Sequence, residues 1–225
     1  MEKYVSNKTH PKLYIATQHY DFVADIFGKM INSVEDESYN ISLIETKTYD
    51  VINQVESGYC DIGIIAIKNI DFDIIKRILF SKKLNFTSIL KTSPHVFVRK
   101  DHPVCSNHIL TYSELVKYPF ISYEQGKHNI SFFTEEIMEN SDVKKHIEIS
   151  DRASLMNVLM TTDSYTIGTG IMPSALNEGK IVSIPIKSNL FYNIGYILHT
   201  DRKCSDLTAY FIEMLESLVM TVPKA

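Results

Sequence analysis

The chain has 225 residues, 44% hydrophobic and 22% charged, the balance of an ordinary globular protein with ample material for one large domain or two small ones. Its net charge of −4 excludes a chain that itself grips nucleic acid, which needs a basic face. Cys60, Cys105 and Cys204 are odd in number and lack CxxC or Cys/His ligand spacing, the start MEKYVSNKTHPK has no apolar core, and no run reaches the ~20 apolar residues of a membrane span; the expectation is an intracellular, cytoplasmic protein with reduced thiols and no membrane contact.

Leu13–Ala16 reads as a short strand ending in Thr17-Gln18-His19-Tyr20. Phe22, Val23, Ile26, Phe27, Met30, Ile31 and Val34 then recur at helical spacing, with Asp21 as the expected cap. Ile41–Ile67 reads as strand, capped helix, buried strand. Ile41 and Leu43 lead into the polar cluster Glu45–Thr48, and Thr48 is the expected N-cap with Asp50 in the first turn. Val51, Ile52 and Val55 give the helix one apolar face, and Gly58 is a left-handed stop. Cys60–Ala66 is almost wholly apolar, as in a parallel strand covered on both faces. Open α/β sheets bind small ligands at the carboxyl ends of such strands, so this unit is a site candidate as well as a fold signal.

Asn69–Ser81 fits a short helix or an extended excursion, and Phe86–Leu90 and His95–Arg99 are strand-like, the second broken by Lys100-Asp101-His102-Pro103. A second set follows: a short helix Tyr112–Lys117, strand Pro119–Tyr123, polar loop Glu124–Asn129, a helix carrying Phe133 and Ile137, strand His146–Ile149, and helix Ser154–Thr161 capped by Ser154. A glycine-bearing strand Tyr165–Ile171, a run Ile181–Ile186, a long strand Leu190–His199 and a final helix started by Ser205 and Asp206 complete the chain. Alternating strands and helices argue parallel sheets. The pattern predicts an α/β protein of two Rossmann-like lobes joined by two crossing strands: 12–93 and 194–225 in lobe I, 94–193 in lobe II, with a ligand cleft between them.

The order of elements resembles the effector-binding domain of LysR-type transcriptional regulators, which share the type 2 periplasmic-binding-protein fold. The likeness runs from about Leu13 to Val219. It rests on Leu13–Tyr20, on Thr48 with Gly58 and Asp61-Ile62-Gly63-Ile64, on Arg99-Lys100-Asp101-His102-Pro103, on Leu115–Tyr123 (LVKYPFISY), and on Ile167-Gly168-Thr169-Gly170-Ile171-Met172-Pro173. The family's winged helix-turn-helix would precede Leu13, where twelve residues stand, so the chain reads as the regulatory part or a standalone relative. At Tyr20 the family often has a small Ser or Thr, which leaves the capping role to Gln18, His19 or Asp21.

The resemblance implies an effector-sensing domain that binds a small polar or anionic metabolite between its lobes and so controls transcription by the full-length protein. The candidate contacts in the first lobe are Thr17, Gln18, His19, Lys47 and Thr48, because a helix amino-terminus facing a cleft attracts anions. In the second they are Ser122, Tyr123, Gln125, His128, Ser150, Ser154 and Thr169, which end strands or open helices. An amino acid, a sulfur metabolite or an organic acid is the expected effector class. DNA contact would come only through the helix-turn-helix, and a homodimer or homotetramer is implied, with Phe22–Val34 and Ile41–Ile44 as the dimer surface. The alternatives are a transporter's solute-binding protein and an enzyme on the same bilobed scaffold. Against the enzyme, the chain has no HExxH, no G-x-S-x-G elbow and no nameable acid/base pair, so no catalytic residue, metal or cofactor is expected.

Overall fold

The computed structural model describes residues 10–35, 37–128, 131–137, 143–173 and 179–217. It is a mixed α/β protein whose chain divides into two compact units, residues 1–65, 73–90 and 194–224 in the first and 66–72 and 91–193 in the second.

The first unit is built on a five-stranded sheet in the order β2-β1-β3-β10-β4, with β1 at Lys12–Thr17, β2 at Asn40–Glu45, β3 at Ile62–Lys68, β4 at Leu84–Thr92 and β10 at Tyr192–His199. β1 runs parallel to β2, Lys12 opposite Asn40 and Thr17 opposite Glu45, and parallel to β3, Ile15 opposite Ile62. Every residue of β3 is buried, as the unbroken apolar run Ile62–Ile67 requires, whereas β2 at the edge is half-exposed. Helix α1 (Asp21–Ser33) buries Phe22, Val23, Ile26 and Met30, and α2 (Thr48–Ser57) buries Val51, Ile52 and Val55. Asn69–Asp71 forms one 3-10 turn into α3 (Phe72–Ser81), and α6 (Asp206–Ser217) closes the unit with Leu207, Phe211, Met214 and Leu215.

Two caps differ from expectation by one residue. Tyr20 is extended and holds the N-cap of α1, with Asp21 inside the first turn. Lys47 is the N-cap of α2 and Thr48 its first helical residue. The shift at α2 has a tertiary cause: the Thr46 N–H donates to Thr17 O at 2.8 Å, holding the chain extended until Lys47 O accepts from Val51 N at 2.9 Å. The stop at Gly58 is as expected, with φ of +80°. Arg202 completes it, donating to Glu56 O at 2.8 Å and to Val55 O at 2.7 Å, which also accepts from Gly58 N at 3.2 Å.

In the second unit β5 (His95–Arg99) is the centre of the order β8-β5-β9, with β8 at Thr166–Gly168 and β9 at Ile181–Pro185, and it is antiparallel to both. The expectation of parallel sheets therefore holds for β1–β2–β3 and for β6 (Phe120–Tyr123) beside β7 (His146–Ile149), but not here. β5 meets both neighbours running the other way, so the connections here do not return the chain to the same end of the sheet as a parallel crossover would. Val96, Val98, Leu110, Leu115, Phe120, Tyr165 and Ile167 pack as one buried cluster, and Phe97, Ile121, Leu155 and Leu159 belong to another.

Two short helices complete the unit. Helix α4 (Tyr112–Leu115) opens on a capping box between Thr111 and Glu114, and α5 (Arg152–Thr161) is capped by Asp151, whose Oδ1 accepts from Ser154 N at 2.8 Å. Ser154 thus supplies the capped amide and not the cap. The helix expected around Phe133 and Ile137 is, within the described residues, the 3-10 turn Ser131–Phe133.

The Asp101-His102-Pro103 motif has a structural role. His102 is buried; its Nδ1 accepts from Val104 N at 3.2 Å, which leaves the proton on Nε2, 3.1 Å from Asp163 O. Burial pushes the ring's pKa down, against the pull of that carbonyl.

Candidate functional site

The carboxyl end of β1 and the amino end of α2 meet in a buried polar cluster. Thr17 and Gln18 are 0% and 1% exposed, and Thr48 and His19 are buried beside them in sequence or space. Gln18 Nε2 donates to Thr48 Oγ1 at 2.5 Å, while its Oε1 accepts from the Tyr20 hydroxyl at 2.8 Å. The amide is thereby fixed in orientation. Thr17 Oγ1 is buried without a hydrogen-bond partner among the described residues, an arrangement that costs free energy unless a ligand or water supplies one. Lys47 stands half-buried at the N-cap of α2, where the helix dipole already favours negative charge. The structure thus brings Gln18 and Thr48 into contact and places Thr17, His19 and Lys47 next to them along the same two chain segments.

The second-unit candidates are more dispersed. Tyr123 N–H donates to Glu136 Oε1 at 2.8 Å, and Gln125 Nε2 reaches Tyr123 O and Glu135 Oε1, both at 3.4 Å. Gln125 Oε1 is buried without a partner among the described residues. Ser122 hydrogen-bonds His146 Nε2 at 2.8 Å, on a strand face and not at a strand end. Ser150 and Ser154 are exposed. Thr169 is buried, its carbonyl accepting from Thr92 Oγ1 at 2.7 Å. Gly170 has φ of +80°, and a Cβ there would lie 2.5 Å from His95 Nδ1, so that glycine makes room for the His95 ring. The side chain of His128 lies outside the described residues.

Sequence reasoning missed a buried charged network in the second unit. Lys68, 6% exposed, donates to Ser131 O at 2.6 Å and Thr134 Oγ1 at 2.8 Å and pairs with Asp71 Oδ2 at 3.1 Å. Burial pushes its pKa down, opposed by Asp71 and Glu136. Glu136, 5% exposed, is pushed up to about 8 by burial and by the charge of Glu135. Tyr192 is fully buried, accepts from Ile137 N at 3.0 Å, and has its hydroxyl pKa raised by burial first and Glu136 second. The one signal in the sequence was a lysine closing an otherwise apolar run. By contrast Cys60 is chemically quiet: burial, then Asp61, pushes its thiol up to about 11.

Residues 37–219 match the LysR substrate binding domain family. The chain is a member of that family. No curated protein matches it in sequence. Among solved structures it is similar to the effector binding domain of QuiR in complex with shikimate, at 11% identity and a TM-score of 0.59, covering 94% of this chain and 98% of that one. It is similar to the reduced OxyR regulatory domain of Pseudomonas aeruginosa, at 11% identity and 0.61 over 95% and 99%. The Synechocystis CcmR regulatory domain in complex with 2-PG stands at 15% and 0.60 over 96% and 100%. These likenesses show the fold, the type 2 periplasmic-binding-protein fold of LysR substrate-binding domains. That family is non-enzymatic in general. Among the described residues of this LysR domain, no helix is long and apolar enough to cross a membrane, and no group of three or more His, Cys, Asp or Glu side chains is placed to hold a metal.

Proposed function

We propose that this LysR domain senses a small polar or anionic metabolite and, in a full-length cytoplasmic regulator, passes the binding event to a helix-turn-helix that contacts DNA. The observation that supports this most is the Thr17–Gln18–Thr48 cluster, where an oriented amide, an unpartnered buried hydroxyl and a ten-residue helix's amino-terminus converge. Two proteins of the same fold hold shikimate and 2-PG, which fits a small polar effector here. Amino acids, sulfur metabolites and organic acids are the classes to test, and no catalytic turnover is proposed. Binding can act on regulation only through a difference in affinity for two states of the domain.

A thermal-shift screen of those three classes tests the reading. One class raises Tm, since a ligand bound only to the folded state at a hundred times its Kd stabilises by about 2.7 kcal/mol, and Gln18→Ala removes the effect. No shift from any class, together with turnover of one of them, would sink it. Dimerisation through α1 and the half-exposed edge strand β2 is part of the proposal. Sedimentation of Ile41→Lys, with its melting curve as the folding control, then shows a monomer; an unchanged oligomer places the interface elsewhere.

A further inference from the structure

The second unit contains a cavity of ≈ 300 Å³ lined by Ser122 and Tyr123 of the second-unit candidates and by none of Thr17, Gln18, His19 or Thr48. Its wall on the sheet is one face of the parallel pair β6–β7, where Phe120 and Ser122 stand in register with His146 and Glu148. Lys68, Asp71, Thr134 and Glu136 bring the buried charges to the same space, with Ile70 beside them.

Hydrogen-bond capacity selects the chemistry of a ligand. Lys68 donates to Ser131 O and Thr134 Oγ1, and its charge is met by the Asp71 carboxylate at 3.1 Å, so the ammonium is already engaged. Ser122 and His146 Nε2 share one hydrogen bond, and the Tyr123 N–H is taken by Glu136. The charged capacity left on the cavity is that of its carboxyls. Glu148 is exposed and has no hydrogen bond or ion pair among the described residues, and Glu136 is a second carboxyl on the cavity. With Lys68 already neutralised by Asp71, the surplus charge is the negative one of Glu148, and Phe120 and Ile70 offer apolar surface beside it.

We propose that this cavity is a second ligand site, for a small organic amine or guanidine bound as its cation, its head received by Glu148 and Glu136 and its methylenes lying on Phe120 and Ile70. Glu136 links the site to protons. Its carboxyl, raised to about 8, is held mostly protonated at neutral pH, and a cation beside it favours the ionised form, so binding expels the proton. The charged and titratable groups around it are Lys68 and Asp71 from the β3–α3 connection, Glu135 beside it in sequence, Tyr123 on β6, Tyr192 on β10, Tyr112 on α4, and His146 and Glu148 on β7.

Calorimetric titration of the 225-residue chain with putrescine and agmatine, against butane-1,4-diol and succinate, tests this. The amines bind and the controls do not. At pH 7 putrescine releases about one proton per site, read from buffers of different ionisation enthalpy. Glu148→Gln, a change at an exposed strand position, weakens putrescine about tenfold through loss of a charge-assisted bond. Glu136→Gln abolishes the proton release. The proposal is overturned if no amine binds, if succinate or the diol binds as well as putrescine, if both glutamine variants keep wild-type affinity and proton release, or if Gln18→Ala is the change that removes binding. That last result would place the amine in the first unit's cluster and would leave the effector reading standing.

Discussion

Gln18 and Thr48 lie thirty positions apart in sequence and are joined by a buried 2.5 Å hydrogen bond from Nε2 to Oγ1. The bond ties the end of β1 to the first residue of α2, and the Tyr20 hydroxyl on the other side of the amide prevents it from turning over. Both segments contribute to the proposed effector contacts, so their relative position is set before any ligand arrives.

Replacing Thr48 by valine keeps the volume and removes the acceptor, leaving a buried amide N–H short of a partner. The expected loss is about 1–3 kcal/mol, read from urea denaturation, with Thr48→Ser recovering most of it. A valine variant as stable as wild type would show that the amide finds another acceptor without cost.

Lys68→Met removes a buried cation and leaves the Asp71 carboxylate facing Ser131 O and Thr134 without it. Breaking a buried pair from one side costs about 3–5 kcal/mol. Chemical denaturation of Lys68→Met and of the double variant Lys68→Met/Asp71→Asn separates the two terms: the double variant is the more stable if the stranded charge is the main cost.

The raised pKa of Glu136 makes stability fall with pH. Between the ordinary carboxyl range and about 8 the folded chain holds a proton there that the unfolded chain has lost, so the contribution is fully present below the unfolded pKa and is gone once pH passes the folded one. The slope for one such group is at most about 1.4 kcal/mol per pH unit. Denaturation midpoints of wild type and Glu136→Gln from pH 5 to 9 check this: wild type loses stability relative to the variant up to about pH 8 and then runs parallel to it. A constant difference across the range would refute it.

At the other end of α2, Gly58→Ala meets two penalties. The backbone φ of +80° disfavours any side chain, and a Cβ would lie 2.7 Å from the Arg202 guanidinium carbon. A loss of about 1 kcal/mol from the backbone alone is expected, with more from displacing Arg202. Arg202→Ala separates them, since in its absence Gly58→Ala costs only the backbone part; equal penalties in both backgrounds would mean that the arginine moves aside freely.

Where structure follows from neighbours along the chain, the residues themselves were sufficient. The strand at His146–Ile149, the apolar faces of α1 and α2 and the left-handed stop at Gly58 follow from spacing and from the backbone freedom of glycine. The cap of α2 was misplaced by one residue because the bond that decides it, Thr46 N to Thr17 O, joins distant segments. The same holds for His102, whose motif is visible in the sequence while its partner Asp163 O, 61 positions away, is not.

The sequence by itself determined the mixed α/β order, the family pattern and the polar strand ends, because hydrophobic period, turn residues and helix stops act over a few residues. Only the tertiary structure decided which polar groups are buried together. Lys68 meets Ser131 and Thr134 at separations of 63 and 66 residues, and the carboxyl of Glu136 is raised by a burial that no local pattern around it discloses. Burial and charge pairing depend on what the whole fold places around a side chain, and those are the quantities that give a site its chemistry.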